Sequence, residues 1–168
     1  MIVGEYGLLG FDKSTGVIEQ GEKLKFFEFL THYLKEKDIT SMLWDNGQHF
    51  NRLSFKWSDP ELFNVIKAGL KTRSSNAESD LIYLAKGTPI QDTKLNLSLN
   101  GNKLTSLNTN GKALKKGSDY ALNGEVLTIK ASALTKLTAT GTLGVNAVLT
   151  AKFNKGADWK FKVSSPND

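Results

Sequence analysis

Two short segments carry side chains placed to act on a substrate. Gly4-Glu5-Tyr6-Gly7 sets a carboxylate at the end of an apolar run, followed by a glycine that permits a sharp exit. A carboxylate so placed can serve as nucleophile, general base or metal ligand. From the tetrapeptide alone, a solvated or salt-bridged glutamate is the simpler reading. Leu43-Trp44-Asp45-Asn46-Gly47 repeats the arrangement, with a tryptophan at the end of an apolar run and a polar turn after it. An indole face there can stack on the apolar face of a sugar ring, and Asp45 or Asn46 can bind hydroxyls. Trp44 can instead fill a core. Each segment alone is a weak signal; the pair, in consecutive units, is a stronger one.

The elements that must position these residues follow from periodicity. Met1 to Tyr6 reads as a short buried strand. Glu19 to Lys37 reads as an amphipathic helix, with Leu24, Phe27, Leu30 and Leu34 inward and Glu22, Lys25, Glu28 and Lys35 outward. Ile39 to Trp44 is a second apolar strand. Asp59-Pro60-Glu61 starts another helix, with Asp at the N-cap and Pro at the first helical position. Leu62, Ile66 and Leu70, with Phe63, give that helix its expected buried stripe. Strand, helix, strand, helix is the repeating unit of a parallel α/β fold. Two strands cannot close such a sheet, so residues 1–72 are expected to be a piece of a larger domain. His32 on the polar side of the first helix and His49 in a loop are expected at the surface.

Residues 73–80 lie in a polar stretch without periodicity and read as a linker. From about Lys94 the period changes to two: Leu95, Leu97 and Leu99, then Ala147, Leu149, Ala151 and Phe153, then Trp159, Phe161 and Val163. Asn100-Gly101, Asn110-Gly111 and Asn123-Gly124 punctuate the runs as turns. Ser132 to Leu137 reads as a helical turn. Seven or so short strands over 81–165 predict a β-sandwich.

Composition excludes several classes. The 168 residues contain no cysteine, so disulfides, thiolate metal sites and a cysteine nucleophile are excluded. There is no apolar run of about 18 residues, and no membrane partner is expected. The amino terminus lacks a basic, then apolar, leader pattern, so no signal peptide is expected in this chain. Residues 1–73 carry ten basic and ten acidic side chains, while residues 74–168 carry twelve and seven and supply the whole net +5. Those lysines alternate with apolar residues, as in Lys160-Phe161-Lys162, which describes a solvated strand face; no nucleic-acid partner is expected.

The residues of the first unit, from Gly4-Glu5-Tyr6-Gly7 through Leu43-Trp44-Asp45-Asn46-Gly47 to Asp59-Pro60-Glu61-Leu62-Phe63, resemble the last two βα units of family 5 glycoside hydrolases, the cellulases of bacilli and their relatives. The resemblance is continuous over residues 1 to about 72. It implies the end of a TIM barrel, with Glu5 as catalytic nucleophile on the seventh strand and Trp44 flooring the central sugar subsite on the eighth. The family's acid/base is a Glu after an Asn on the fourth strand; this chain has no Asn-Glu dipeptide, so the chain alone is expected to be inactive. Gly101-Asn102, Leu114 to Tyr120, Leu127-Thr128-Ile129 and Lys152-Phe153 resemble the immunoglobulin-like X-two carbohydrate-binding module. Tyr120 and Trp159 are its candidate sugar-stacking residues, although the alternation of Trp159 with Phe161 and Val163 favours a core role, and packing is as good a reading for Tyr120.

The resemblances together imply an α/β fragment followed by an all-β immunoglobulin-like sandwich. The implied function is the carboxyl-terminal portion of a secreted, retaining endo-β-1,4-glucanase. It would be a monomer acting on cellulose or a related β-glucan without metal or cofactor. The alternative is a non-catalytic cellulose- or cell-wall-binding or spacer module with a vestigial barrel remnant. A structural, adhesin-like sandwich is discouraged by the barrel-like lead.

Overall fold

A computed structural model describes residues 1–8, 19–45, 47–85, 87–139 and 143–165. The chain divides into two units, Met1–Ser74 and Ser75–Asp168.

In the first unit, β1 (Ile2–Tyr6) is followed by helix α1 (Gln20–Glu36), β2 (Thr40–Leu43), the hairpin strands β3 (Phe50–Asn51) and β4 (Lys56–Trp57), and helix α2 (Pro60–Gly69). β1 and β2 pair in parallel, as the crossover helix between them requires. The β3–β4 hairpin was not anticipated; it lays Phe50 opposite Trp57, and Trp57 packs on Phe63 of α2 with ring centroids 5.1 Å apart. Asp59 caps α2 as expected, accepting from the backbone N–H of Glu61 and Leu62 at 3.0 Å each. Its other oxygen takes Lys23 Nζ at 2.6 Å and Gln20 Nε2 at 3.0 Å, so one carboxylate starts α2 and ties it to α1.

Two expected helix faces are corrected. α2 buries Leu62, Val65 and Gly69 rather than Leu62, Ile66 and Leu70, and Leu70 is exposed. The cause is a close approach at Gly69: a Cβ there would stand 3.0 Å from Thr31 Cγ2 of α1. That bare backbone rotates the contact face by one position. On α1, Leu24, Phe27 and Leu34 are buried as expected, but so is Glu28, at 2% exposure. Arg73 Nε and Nη2 donate to its two oxygens at 2.8 and 2.9 Å, and the Ser74 N–H adds a third bond at 2.8 Å. A buried carboxylate needs such partners. Here they come from far along the chain, out of reach of any helical pattern.

The second unit contains β5 (Asn76–Ala77), β6 (Leu81–Tyr83), β7 (Thr93–Ser98), β8 (Leu104–Thr109), β9 (Lys112–Ala113), β10 (Tyr120–Asn123), β11 (Val126–Ile129), helix α3 (Ala131–Leu137), β12 (Gly144–Phe153) and β13 (Trp159–Ser165). One sheet has the order β10-β11-β7-β5 and the other β6-β13-β12-β8-β9. Their inner faces supply the buried Leu95, Leu97, Leu107, Leu127, Ile129, Leu149, Phe161 and Val163. This is a β-sandwich, with the period-two positions inward. Asn110 and Gly111 both take positive φ between β8 and β9, the backbone a two-residue hairpin needs. Asn123, read as a turn residue, is instead the last residue of β10, and Gly124 alone turns left-handed. α3 forms where the helical turn was expected.

The segment 73–80, expected as a linker, holds a short strand. Ser74 and Ser75 are each 2% exposed, Ser75 Oγ donates to Leu99 O at 2.8 Å, and β5 pairs with β7. Its polar groups bond to folded backbone and side chains, as Ser75 does to Leu99 and Arg73 to Glu28, a distinction composition does not carry.

Candidate functional site

Tyr6 pairs with Leu43, while Val3 pairs with Ser41. The register therefore slips by one residue, and Gly4 and Glu5 together span the interval that Met42 spans alone. Such a bulge re-aims a side chain. Tyr6 turns toward α1, its ring 6.1 Å from Phe27, and Glu5, adjacent to it on the strand, falls on the opposite, exposed face. On β2 the alternation runs exposed Thr40, half-buried Ser41, exposed Met42, half-buried Leu43. Trp44 continues it: it is 54% exposed and follows Met42 onto the open face. Its N–H donates to Tyr6 O at 2.8 Å, extending the parallel ladder past the strand end. Gly7 lies against it, where a Cβ would sit 3.8 Å from Trp44 Cβ. The structure thus brings Glu5 and Trp44 to the same end and the same open face of two neighbouring strands.

Asp45 has a different position. Its carboxylate accepts the N–H of Gly47 at 2.9 Å, of His49 at 3.0 Å and of Phe50 at 3.2 Å. The His49 N–H, followed by those of Gly47 and Phe50, holds this carboxyl below its ordinary range. Asp45 is chiefly the organiser of the loop that leaves Trp44. Asn46 lies outside the described residues.

The histidines are engaged in packing and backbone contacts. His32 is half-buried, donates from Nδ1 to Gly69 O at 3.3 Å and faces Glu36 at 3.2 Å. His49, expected at the surface, is 5% exposed and sits edge-on to Phe27 with centroids 6.1 Å apart. Burial pushes its imidazole below the usual range against the pull of Asp45. Among the described residues no three His, Asp or Glu side chains gather as a metal site.

In the second unit, Tyr120 and Trp159 are 4% and 3% exposed. Both rings lie in the sandwich core, where neither offers a face to a sugar, so the packing reading replaces stacking at both positions. The exposed aromatic ring of this unit is Tyr83, 58% exposed on β6. Sequence reading missed it because Leu81-Ile82-Tyr83 is too short a run for its alternation to register.

The two units are thus a β-sandwich and a strand–helix–strand–helix unit whose strand ends bear Glu5 and Trp44. The chain belongs to the carbohydrate binding domain X2 family, whose pattern matches residues 77–163. It is 68% identical over 163 residues to endoglucanase B of Paenibacillus lautus, a match that covers 97% of this chain and 29% of that protein. The tri-modular endo-β-1,4-glucanase B of Bacillus halodurans superposes with a TM-score of 0.91 at 58% identity over 98% of this chain and 31% of its own. A tri-modular endo-β-1,4-glucanase of family 5, subfamily 4, from Bacillus licheniformis, solved with cellotetraose, superposes at 0.84 with 32% identity over 98% and 31%. The chain spans under a third of the length of these relatives.

Proposed function

We propose that this chain is the carboxyl-terminal portion of an extracellular, monomeric, retaining endo-β-1,4-glucanase of glycoside hydrolase family 5, comprising the last two βα units of a TIM barrel and an immunoglobulin-like X2 module. The observation that carries this reading is the placement of Glu5 and Trp44 together on the open face of a parallel strand pair whose other face turns to α1. In a TIM barrel the face away from the helices is the interior, and strand ends build the active site. Ile2 and Met42, 66% and 53% exposed on these strands, are apolar side chains that such an interior would cover.

In this reading Glu5 is the nucleophile that attacks the anomeric carbon, and Trp44 stacks beneath the adjoining sugar. Asp45 holds the Trp44 loop and keeps a lone-pair site for a sugar hydroxyl, and Asn46 is its companion. A retaining enzyme needs a second carboxyl about 5–5.5 Å from the first as acid/base, and that group lies in the part of the enzyme the chain does not span. No metal or cofactor enters the reaction. The chain alone is inactive, and the X2 module holds β-glucan near the active site.

The test restores to this chain the portions of the Paenibacillus lautus endoglucanase B that it does not span. The chimaera hydrolyses carboxymethyl cellulose, and Glu5→Gln, which keeps shape but removes the nucleophilic charge, abolishes turnover. A Glu5→Gln chimaera that kept more than about a tenth of the parent rate would displace the nucleophile from Glu5, because losing covalent catalysis costs several kcal/mol.

A further inference from the structure

The carbohydrate-binding family of the second unit and the burial of Tyr120 and Trp159 leave open where a sugar would rest. Five aromatic residues occur in this unit: Tyr83, Tyr120, Phe153, Trp159 and Phe161. Three are in the core, Phe153 is half-buried, and Tyr83 is exposed. We propose that the outer face of the β6-β13-β12 strands, with Tyr83 on the edge strand, is the β-glucan-binding surface of this module. The inference rests on the reading of the module as a polysaccharide binder.

Strand register assembles the surface. Tyr83 stands opposite Ser164 of β13, which stands opposite Val145 of β12; one row away, Leu81, Lys162 and Val148 align in the same way. Leu81, Val145 and Val148 are 44%, 51% and 37% exposed. In a regular strand Val145 and Val148, three apart, would face opposite sides. The register shift between Val145 and Ala147 brings both outward, the re-aiming that a bulge provides. The result is an open strip in which a polar row, Ser164 and Lys162, runs between Tyr83 and Leu81 on one side and Val145 and Val148 on the other, with Lys162 Nζ 3.4 Å from Asp80 Oδ2. A β-1,4-linked glucan has the matching chemistry, with apolar C–H faces for the ring and methyls and hydroxyl edges for Lys162, Asp80 and Ser164. A surface built for a protein partner would gain from several clustered anchors; one ring on an open strip suits a repeating chain.

The 168-residue chain is measured for depletion from solution by phosphoric-acid-swollen cellulose and for retardation in native gels containing hydroxyethyl cellulose. Tyr83→Ala weakens both by roughly tenfold or more, the loss expected of an anchoring aromatic, with an unchanged thermal midpoint because the ring is exposed. Tyr83→Trp binds at least as well as the parent. Tyr33→Ala, which breaks the exposed Phe29–Tyr33 stack on α1, leaves binding unaltered. Parental binding that survives Tyr83→Ala, or that is lost with Tyr33→Ala instead, overturns the assignment while leaving the module a binder. A parental chain that binds neither polysaccharide removes the binder reading and this surface with it. A dimer of the parent that dissociates on Tyr83→Ala, without loss of glucan binding, makes the strip a contact between copies and overturns the proposal.

Discussion

The guanidinium of Arg73 grips the carboxylate of Glu28 with two parallel bonds of 2.8 and 2.9 Å across 45 residues of sequence. The hydrogen bonds that Arg73 donates to this carboxylate hold its guanidinium more firmly protonated than an ordinary one. Only one partner is fully buried: the Glu28 side chain is 3% exposed and that of Arg73 32%. Arg73→Ala therefore orphans a buried charge and destabilises the fold by about 3 kcal/mol, the low end of the range because water reaches the vacated side. Chemical denaturation of the full chain measures it. Adding Glu28→Gln to Arg73→Ala recovers part of the loss, since a neutral amide is easier to bury than an unpaired carboxylate.

At Gly69 the bare backbone of α2 meets the Thr31 side chain of α1. Gly69→Ala improves helix propensity but drives a methyl to 3.0 Å from Thr31 Cγ2, so overpacking of about 1–3 kcal/mol outweighs the gain. Combining it with Thr31→Ser, which removes that methyl, restores part of the stability. A thermal melt that shows Gly69→Ala neutral on its own would mean the helices separate freely there.

Acid weakens the first unit in two steps. His49 has its pKa lowered by burial from the ordinary 6.5. Below that pH the unfolded chain takes up a proton that the folded chain resists, so stability falls as pH drops toward the folded value. Burial works to raise the Asp59 carboxyl, but Lys23, the Leu62 N–H and Gln20 outweigh it and hold it below 3.8. Its contribution is complete above that value and lost as pH falls through the folded one. His49→Gln flattens the upper step of a stability-against-pH profile and Asp59→Asn the lower; a profile unchanged by either substitution refutes the assignment.

Trp44→Ala in the chimaera raises KM and lowers kcat together, because stacking both binds and orients the sugar. A change in KM alone would assign the indole to uniform binding.

A shortened chain of residues 75–165 unfolds cooperatively, because its core draws on its own two sheets. Circular dichroism showing a random coil at 25 °C would contradict this.

Local chemistry was legible and distant chemistry was not. Asp59-Pro60 announces its helix because capping needs only the next three residues, and the alternation of Trp159, Phe161 and Val163 gives the inward face of β13 because period two is intrinsic to a strand. Glu28, placed outside by helical spacing, is inside because Arg73 arrives from elsewhere. His49, in a polar loop, is buried by the Phe27 ring beneath it and the Asp45 carboxylate that curls the loop. For the candidate site, the types and order of Glu5 and Trp44 were readable, but the register slip that sets them on one face exists only in the pairing of two strands. Tyr120 and Trp159 drew attention as aromatics, which chemical type alone cannot sort into core and surface.

The parallel pairing of β6 with β13 in the sandwich has a mechanical consequence. β6 lies near the beginning of the second unit and β13 near its end, and they are joined in register from Leu81–Lys162 to Tyr83–Ser164. Two further backbone bonds flank the pair, Lys162 N to Asp80 O at 2.7 Å and Leu84 N to Ser164 O at 2.9 Å. Tension applied between the two ends of this unit slides these strands along one another, so the bonds are loaded in shear, together, rather than opened one after another as in a hairpin pulled from its free ends.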